Sequence, residues 1–177
     1  MVATLTEKIE SLIRDVPDFP KEGILFKDIT PLLSDPKLCD EIAAEIADQF
    51  SNDNVDAIAC IESRGFFFGP LVAQKLGIPF IPIRKAGKLP YKTDSITYDL
   101  EYGTATIEMH TDALEGINNV LIHDDLLATG GTANAAAQLV AKSSNVVGFS
   151  FLINLSFLNG EQLLSSTSEK IHSLINY

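Results

Sequence analysis

The 177-residue chain has ordinary globular proportions, 46% hydrophobic and 21% charged residues, with a formal net charge of −11. That length suits one domain with a proper core. The acidic balance argues against nucleic acid as a partner, because a polyphosphate backbone would be repelled, but a local basic cluster is still free to bind a small anion. Cys39 and Cys60 form no CxxC and sit near no His pair, so neither a zinc site nor a disulfide framework is indicated.

Leu5, Ile9, Leu12 and Ile13 recur at helical spacing in an amphipathic, charged N-terminal stretch. It lacks the apolar core of a signal peptide. No apolar run approaches a membrane span, so a cytoplasmic location is expected. Pro17 and Pro20 break the helical pattern, and an extended Gly23–Pro31 stretch follows. Leu38, Ile42, Ile46 and Phe50 repeat every four residues and predict an amphipathic helix.

Val55–Ile61 reads as a buried strand, Gly65–Leu76 as the helix after it and Ile78–Arg84 as the next strand. Lys85–Asp99 is polar, contains Gly87 and Pro90, and reads as a long loop. Thr104–Met109 alternates like a strand. Val120–His123 is a short strand running into a small-residue turn, with a helix expected over Ala133–Lys142 and a further strand over Val146–Ile153. Strands separated by helices predict an α/β fold with a mostly parallel, twisted sheet flanked by helices. Ligands of such sheets sit at the carboxyl ends of the strands, where the motifs fall.

The first motif is VLIHDDLLATGGT, residues 120–132. Gly130 and Gly131 allow close backbone approach. The amides of the turn and of the opening helix, aided by the helix dipole, would bind a phosphate, and Thr129 and Thr132 add hydroxyl donors. Neither GxGxxG nor GxxxxGK[ST] is present. Side chains of neighbouring residues on extended chain point opposite ways, so Asp124 and Asp125 are better suited to holding vicinal sugar hydroxyls than to sharing one proton. A helix N-cap with a glycine turn is the alternative for a TGG alone.

The whole string resembles the PRPP-binding motif of type I phosphoribosyltransferases (PRPP, 5-phosphoribosyl 1-diphosphate), and DDLLATGGT is the form seen in the adenine-specific branch. The resemblance implies that Asp124 and Asp125 contact the ribose and that Ala128, Thr129, Gly130, Gly131 and Thr132 hold the 5′-phosphate. Hypoxanthine- and guanine-specific relatives usually carry Asp where this chain has Ala128. His123 departs from the usual aliphatic residue and reads as a structural imidazole facing the core.

Other segments carry the same likeness. ESRGFFFG, residues 62–69, resembles the pyrophosphate-binding turn, which assigns Ser63 and Arg64 to PRPP and Arg64 also to the base side. RKAGKLP, residues 84–90, puts three cations within five positions, as a dense anion requires. It looks like the start of the family's flexible hood loop, in which Arg84, Lys85 and Lys88 engage pyrophosphate, Lys88 from across a dimer. Tyr91 stands where Gly is common. YDLEYG, residues 98–103, resembles the segment bearing the acid nearest the purine, here Glu101 followed by Tyr102. A carboxylate there would accept the ring proton of adenine or stabilise the reactive tautomer.

GILFKDIT, residues 23–30, resembles the base-binding segment, with Phe26 stacking on adenine. FLINLSFLNG, residues 151–160, supplies Leu155 for the other face, with Asn154 replacing the usual Glu. The likeness covers nearly the whole chain from about Ile13. It implies one domain over 1–177, with hood elements from about 1–35 and the C-terminal segment and a flexible loop over about 85–103. It also implies a homodimer that makes AMP and pyrophosphate from adenine and PRPP. Magnesium would be the cofactor, held mainly by substrate oxygens without direct protein ligands. The alternatives are a phosphoribosyltransferase for another base, against which Ala128 argues, and a non-catalytic PRPP-sensing regulator. The regulator would need a DNA-binding segment and a basic face that this sequence does not offer.

Overall fold

The computed structural model of the protein describes residues 3–99 and 103–177. Helix α1 (Leu5–Leu12) opens on a capping box, in which the Thr4 side chain accepts from the Glu7 amide and Glu7 accepts from the Thr4 amide. Strands β1 (Arg14–Pro17) and β2 (Leu25–Asp28) then pair as an antiparallel ribbon apart from the main sheet. After a 3-10 turn over Thr30–Ser34, α2 (Pro36–Phe50) starts with Asp35 accepting from the Lys37 and Leu38 amides and buries the predicted row of Leu38, Ile42, Ile46 and Phe50.

The rest of the chain builds a seven-stranded sheet. In chain order its elements are β3 (Ala57–Ile61), α3 (Gly65–Leu76), β4 (Phe80–Lys85), β5 (Thr93–Asp99) and β6 (Thr104–His110), then β7 (Asn119–Leu127), α4 (Gly131–Val140), β8 (Asn145–Asn154), α5 (Gly160–Leu164) and β9 (Ile171–Asn176). The strand order is β5-β6-β4-β3-β7-β8-β9. β4, β3, β7, β8 and β9 run parallel, while β6 pairs antiparallel with both β4 and β5.

Alternation divides β3 between two cores. Ala57, Ala59 and Ile61 face the side covered by α4, with Val120, Ile122, Phe149 and Phe151. Ile58 and Cys60 face α1, α2 and α3. Each fully buried Phe or Ile of these layers stabilises the fold by about 1.5–3 kcal/mol. α3 can lie close on β3 because Gly69 sits on the Cys60 thiol, where a Cβ would run into Sγ.

Three readings change at this level. Thr93–Asp99, read from its polarity as loop, is strand β5, and its alternation explains why. Ile96 and Tyr98 pack on the core under α4, while Ser95, Thr97 and Asp99 face solvent. β7 extends beyond His123 to Leu127, so both aspartates lie on strand, and α4 starts two residues earlier than predicted. The C-terminal segment, left open by its sequence, contributes α5 and a strand parallel to β8.

The chain moves from β3 through α3 to β4 on one side and from β7 through α4 to β8 on the other. The crevice of this sheet therefore opens at the carboxyl ends of β3 and β7.

Candidate active site

Two adjoining cavities occupy that crevice. One, of about 310 Å³, is lined by Glu62, Ser63 and Arg64 after β3, by Lys85 at the end of β4, and by Asp124, Asp125 and Thr132, with Tyr98 and Ile107 on its far wall. The other, of about 210 Å³, is formed by residues 124–133 with Arg64. Arg64, Asp124, Asp125 and Thr132 belong to both. Every residue assigned to the phosphate turn, Ala128 through Thr132, lines the second cavity.

The turn has the shape its sequence demands. Gly130 has φ +84, open to glycine at little cost, and caps α4. Gly131 and Thr132 are therefore first-turn residues whose amides have no carbonyl partner within the helix. Tyr98, from β5, donates its hydroxyl to Thr132 Oγ1 at 3.0 Å and so ties the edge strand to the helix start.

Both aspartates line both cavities although they are consecutive on a strand. The Asp124 side chain folds back to accept the Asp125 amide at 2.9 Å. Burial, and then the charge of Asp125, push the Asp124 carboxyl well above the usual range. Asp125 is raised as well, by burial, with the Arg64 guanidinium pulling the other way. Arg64 Nε stands 2.9 Å from Asp125 Oδ2, and the same guanidinium lies 4.9 Å from the centroid of the Phe26 ring. Gly65 brings the start of α3 against β7, where a Cβ would meet the His123 carbonyl oxygen at 3.0 Å and Asp124 Oδ1 at 3.1 Å.

Of the three clustered cations, Lys85 lines the cavity; Arg84 and Lys88 are not among its lining residues. The Arg84 Nε donates to Glu62 Oε2 at 2.7 Å and its Nη1 to the Lys88 carbonyl at 3.2 Å. Glu62, given no role by its sequence, also accepts the Lys85 amide at 3.1 Å and thereby holds the end of β4 in place. The Glu62–Ser63 peptide is cis. Tyr91 is exposed, edge-on to His110 at 6.1 Å. Glu101 and Tyr102, the assigned catalytic pair, lie outside the described residues.

Phe26, assigned to the base by its sequence, sits on β2 with its ring 5.1 Å from that of Phe19. Asp28, two residues on, accepts both the amide and the hydroxyl of Thr30, and these bonds hold its carboxyl below the ordinary value. Leu155 follows β8, and its amide donates to the Leu127 carbonyl at 2.9 Å. Asn154 is buried and donates to Glu161 Oε1 and Asn176 Oδ1, fastening β8 to α5 and β9. His123 is fully buried, with Nδ1 2.8 Å from Ser150 Oγ; burial lowers its pKa to about 4. It faces the core, as its sequence position suggests, and is not among the residues lining either cavity.

Among the described residues no group of three or more His, Cys, Asp and Glu side chains is arranged for a metal ion. Glu62 and Asp124, both open to the larger cavity, suit hydrogen bonding to the water shell of a magnesium ion carried by a substrate. No helix among the described residues is long and apolar enough to cross a membrane.

A mostly parallel sheet with a glycine turn after one central strand, paired acids before that turn and cations on the neighbouring strand ends defines a phosphoribosyl-transfer domain. The sequence profile of the phosphoribosyl transferase domain matches residues 29–153. The adenine phosphoribosyltransferase of Cytophaga hutchinsonii is 56% identical over 174 residues, covering 98% of this chain and 96% of its own. The crystal structure of the enzyme of that name from Thermoanaerobacter pseudethanolicus superposes with a TM-score of 0.92 at 48% identity, over 98% of this chain and all of its own. The Giardia lamblia enzyme, crystallised with 9-deazaadenine, gives 0.91 at 35% identity over 99% of both chains. The chain belongs to the adenine phosphoribosyltransferase family.

Proposed function

We propose that this chain transfers the 5-phosphoribosyl group of PRPP to adenine, giving AMP and pyrophosphate, in purine salvage. The observation that carries the reading is the pair of adjoining cavities, which put a phosphate-shaped turn and a cation-lined pocket on either side of Asp124 and Asp125.

In this reading the 5′-phosphate rests on the amides of residues 128–132, and the ribose hydroxyls hydrogen-bond to Asp124 and Asp125. The diphosphate lies toward Ser63, Arg64 and Lys85, with Arg84 orienting Glu62 and Lys88 reaching in from a second copy of the chain. Charge on the departing diphosphate is neutralised by donors already in place, which is where such a site gains most of its rate. Glu62 and Asp124 would hold the water shell of a substrate-borne magnesium ion, which would supply further neutralisation of the diphosphate. Adenine stacks on Phe26, with Leu155 on its other face and Arg64 at its edge. Backbone groups of fixed polarity reject a 6-oxo purine, which would leave them unpaired. Glu101 takes the ring proton as the base attacks the anomeric carbon, with Tyr102 beside it. The β1–β2 ribbon forms the hood, and the loops on either side of β5 close over the site to exclude water. The enzyme works as a homodimer in the cytoplasm; support for the dimer comes from the family likeness of the hood loop.

The test is AMP formation from adenine and PRPP, run beside hypoxanthine and guanine. Adenine alone should serve, and Glu101→Ala should lose most turnover with PRPP binding kept. Equal use of hypoxanthine would defeat the base assignment, and full turnover by Glu101→Ala would defeat the assigned proton acceptor.

A further inference from the structure

The phosphate turn is backed by a second piece of backbone far along the chain. Gly160, the first residue of α5, lies directly behind it. A Cβ at 160 would run into the Ala128 carbonyl oxygen, and would also stand 2.9 Å from Leu127 Cδ1 and 3.1 Å from the Gly130 amide nitrogen. The approach is mutual, since a Cβ at Gly130 would stand 2.8 Å from the Gly160 carbonyl oxygen. Two glycines thus let two main-chain segments touch with no side chain between them, and each excludes alanine at the other's contact.

The same segment is tied down on both sides of Gly160. Five residues earlier, the Leu155 amide bonds to the Leu127 carbonyl, one residue before the turn. On the other side, Glu161 accepts from the buried Asn154. Gly160 itself is buried, and Asn159 before it takes the left-handed conformation, φ +57, that turns the chain toward the contact.

We propose that Gly160 is a positioning residue for the phosphate turn: its missing side chain sets the distance at which α5 supports residues 128–130, and so the spacing of the amides that receive the 5′-phosphate. The proposal rests on the reading of that turn as the phosphate site. Gly160 touches no substrate. Its effect is on PRPP, because the turn it supports carries the phosphate, while the Leu155 bond one strand-end away leaves adenine stacking in place.

Gly160→Ala is the variant to measure, with Gly148→Ala as its control. At Gly148 a Cβ would meet Phe50 at 2.7 Å and the Lys170 carbonyl oxygen at 2.9 Å, a comparable collision on the far side of the fold. Both variants should melt several degrees lower. Gly160→Ala should raise KM for PRPP at least tenfold with KM for adenine within about threefold, and Gly148→Ala should leave both near wild type. A Gly160→Ala enzyme that melts lower yet keeps its KM for PRPP overturns the proposal.

Should Gly160→Ala fail to fold, hydrogen exchange on the unaltered chain decides. Ribose 5-phosphate should slow exchange at residues 128–132 and also at 160–164. Protection confined to 128–132 rejects the support role while keeping the phosphate site. Absence of protection at 128–132 rejects the phosphate site and the proposal together.

Discussion

The Arg64 guanidinium bridges the Asp125 carboxylate, 2.9 Å from its Nε, and the Phe26 ring, 4.9 Å from its Cζ. One side chain from the turn after β3 therefore reaches both β7 and the β1–β2 ribbon. Asp125 is 4% exposed and Arg64 29%, so the acid depends on the cation more than the reverse.

Removing that cation should expose this dependence. Arg64→Met leaves a buried carboxylate without its counter-ion, a loss of about 3–5 kcal/mol for a fully buried pair, lowered to ~1–3 kcal/mol here by solvent reaching the guanidinium. Melting at pH 7.5 should drop by several degrees. Adding Asp125→Asn, which removes the stranded charge, should recover at least half of the drop, while PRPP binding stays impaired in both variants. A double variant no more stable than the single one would show that the pair does not couple.

Tyr98 joins the edge strand to the start of α4 through one hydroxyl. Tyr98→Phe keeps the ring against the core and deletes only the bond to Thr132. A neutral hydrogen bond contributes about 1 kcal/mol, roughly fivefold in an equilibrium constant. KM for PRPP should rise by about that factor with kcat little changed, measured by initial rates at saturating adenine. A large fall in kcat instead would place the hydroxyl in the chemical step.

How far the sequence reaches is clearest by comparing Gly130 with Gly160. Gly130 is legible because its motif is contiguous: strand, acids, turn and helix follow one another, and the helix start alone dictates where the amides point. Gly160 is not, because its role is set by contact with residues thirty positions earlier. Glu62 and Tyr98 escaped notice for the same reason, their partners Arg84 and Thr132 lying on other elements. Strand β5 was hidden by composition. Residues 93–99 are polar enough to read as loop, and only pairing with β6 and cover from α4 reveal the alternation. The packed helices were the easiest part, since the four-residue period of α2 is itself the record of a buried face.

His123 gives the fold an acid-sensitive point. Its folded pKa, about 4, lies below the ordinary imidazole value near 6.5. The unfolded chain therefore takes up a proton that the folded chain refuses. Its contribution is fully present above pH 6.5 and is lost as pH falls toward 4, about 3 kcal/mol in all. The double variant His123→Val/Ser150→Ala removes the imidazole and its hydroxyl partner together. Its melting temperature should fall less steeply than wild type between pH 6.5 and 4, with activity at pH 7.5 retained. Parallel curves would show that another group carries the acid sensitivity.

Asp124 works in the opposite sense. Its folded pKa is raised, by burial first and by the Asp125 charge second, with Arg64 opposing. A carboxyl of this kind contributes most below its unfolded value near 3.9, and that contribution is lost as pH rises through the folded value. As pH rises above about 3.9 the native state therefore bears a growing cost at Asp124 relative to the unfolded chain. Asp124→Asn keeps an oxygen able to accept the Asp125 amide and removes the charge. It should melt higher than wild type at pH 8, the gain shrinking steadily toward pH 4. It should also lose roughly 10–100-fold in kcat/KM for PRPP, the scale of a charge-assisted hydrogen bond to a hydroxyl. Calorimetry across that pH range, paired with initial rates, separates the two effects. A variant less stable at pH 8 would mean that Asp124 supports the fold, and the crowding of the acids would then have to be relieved within the free protein.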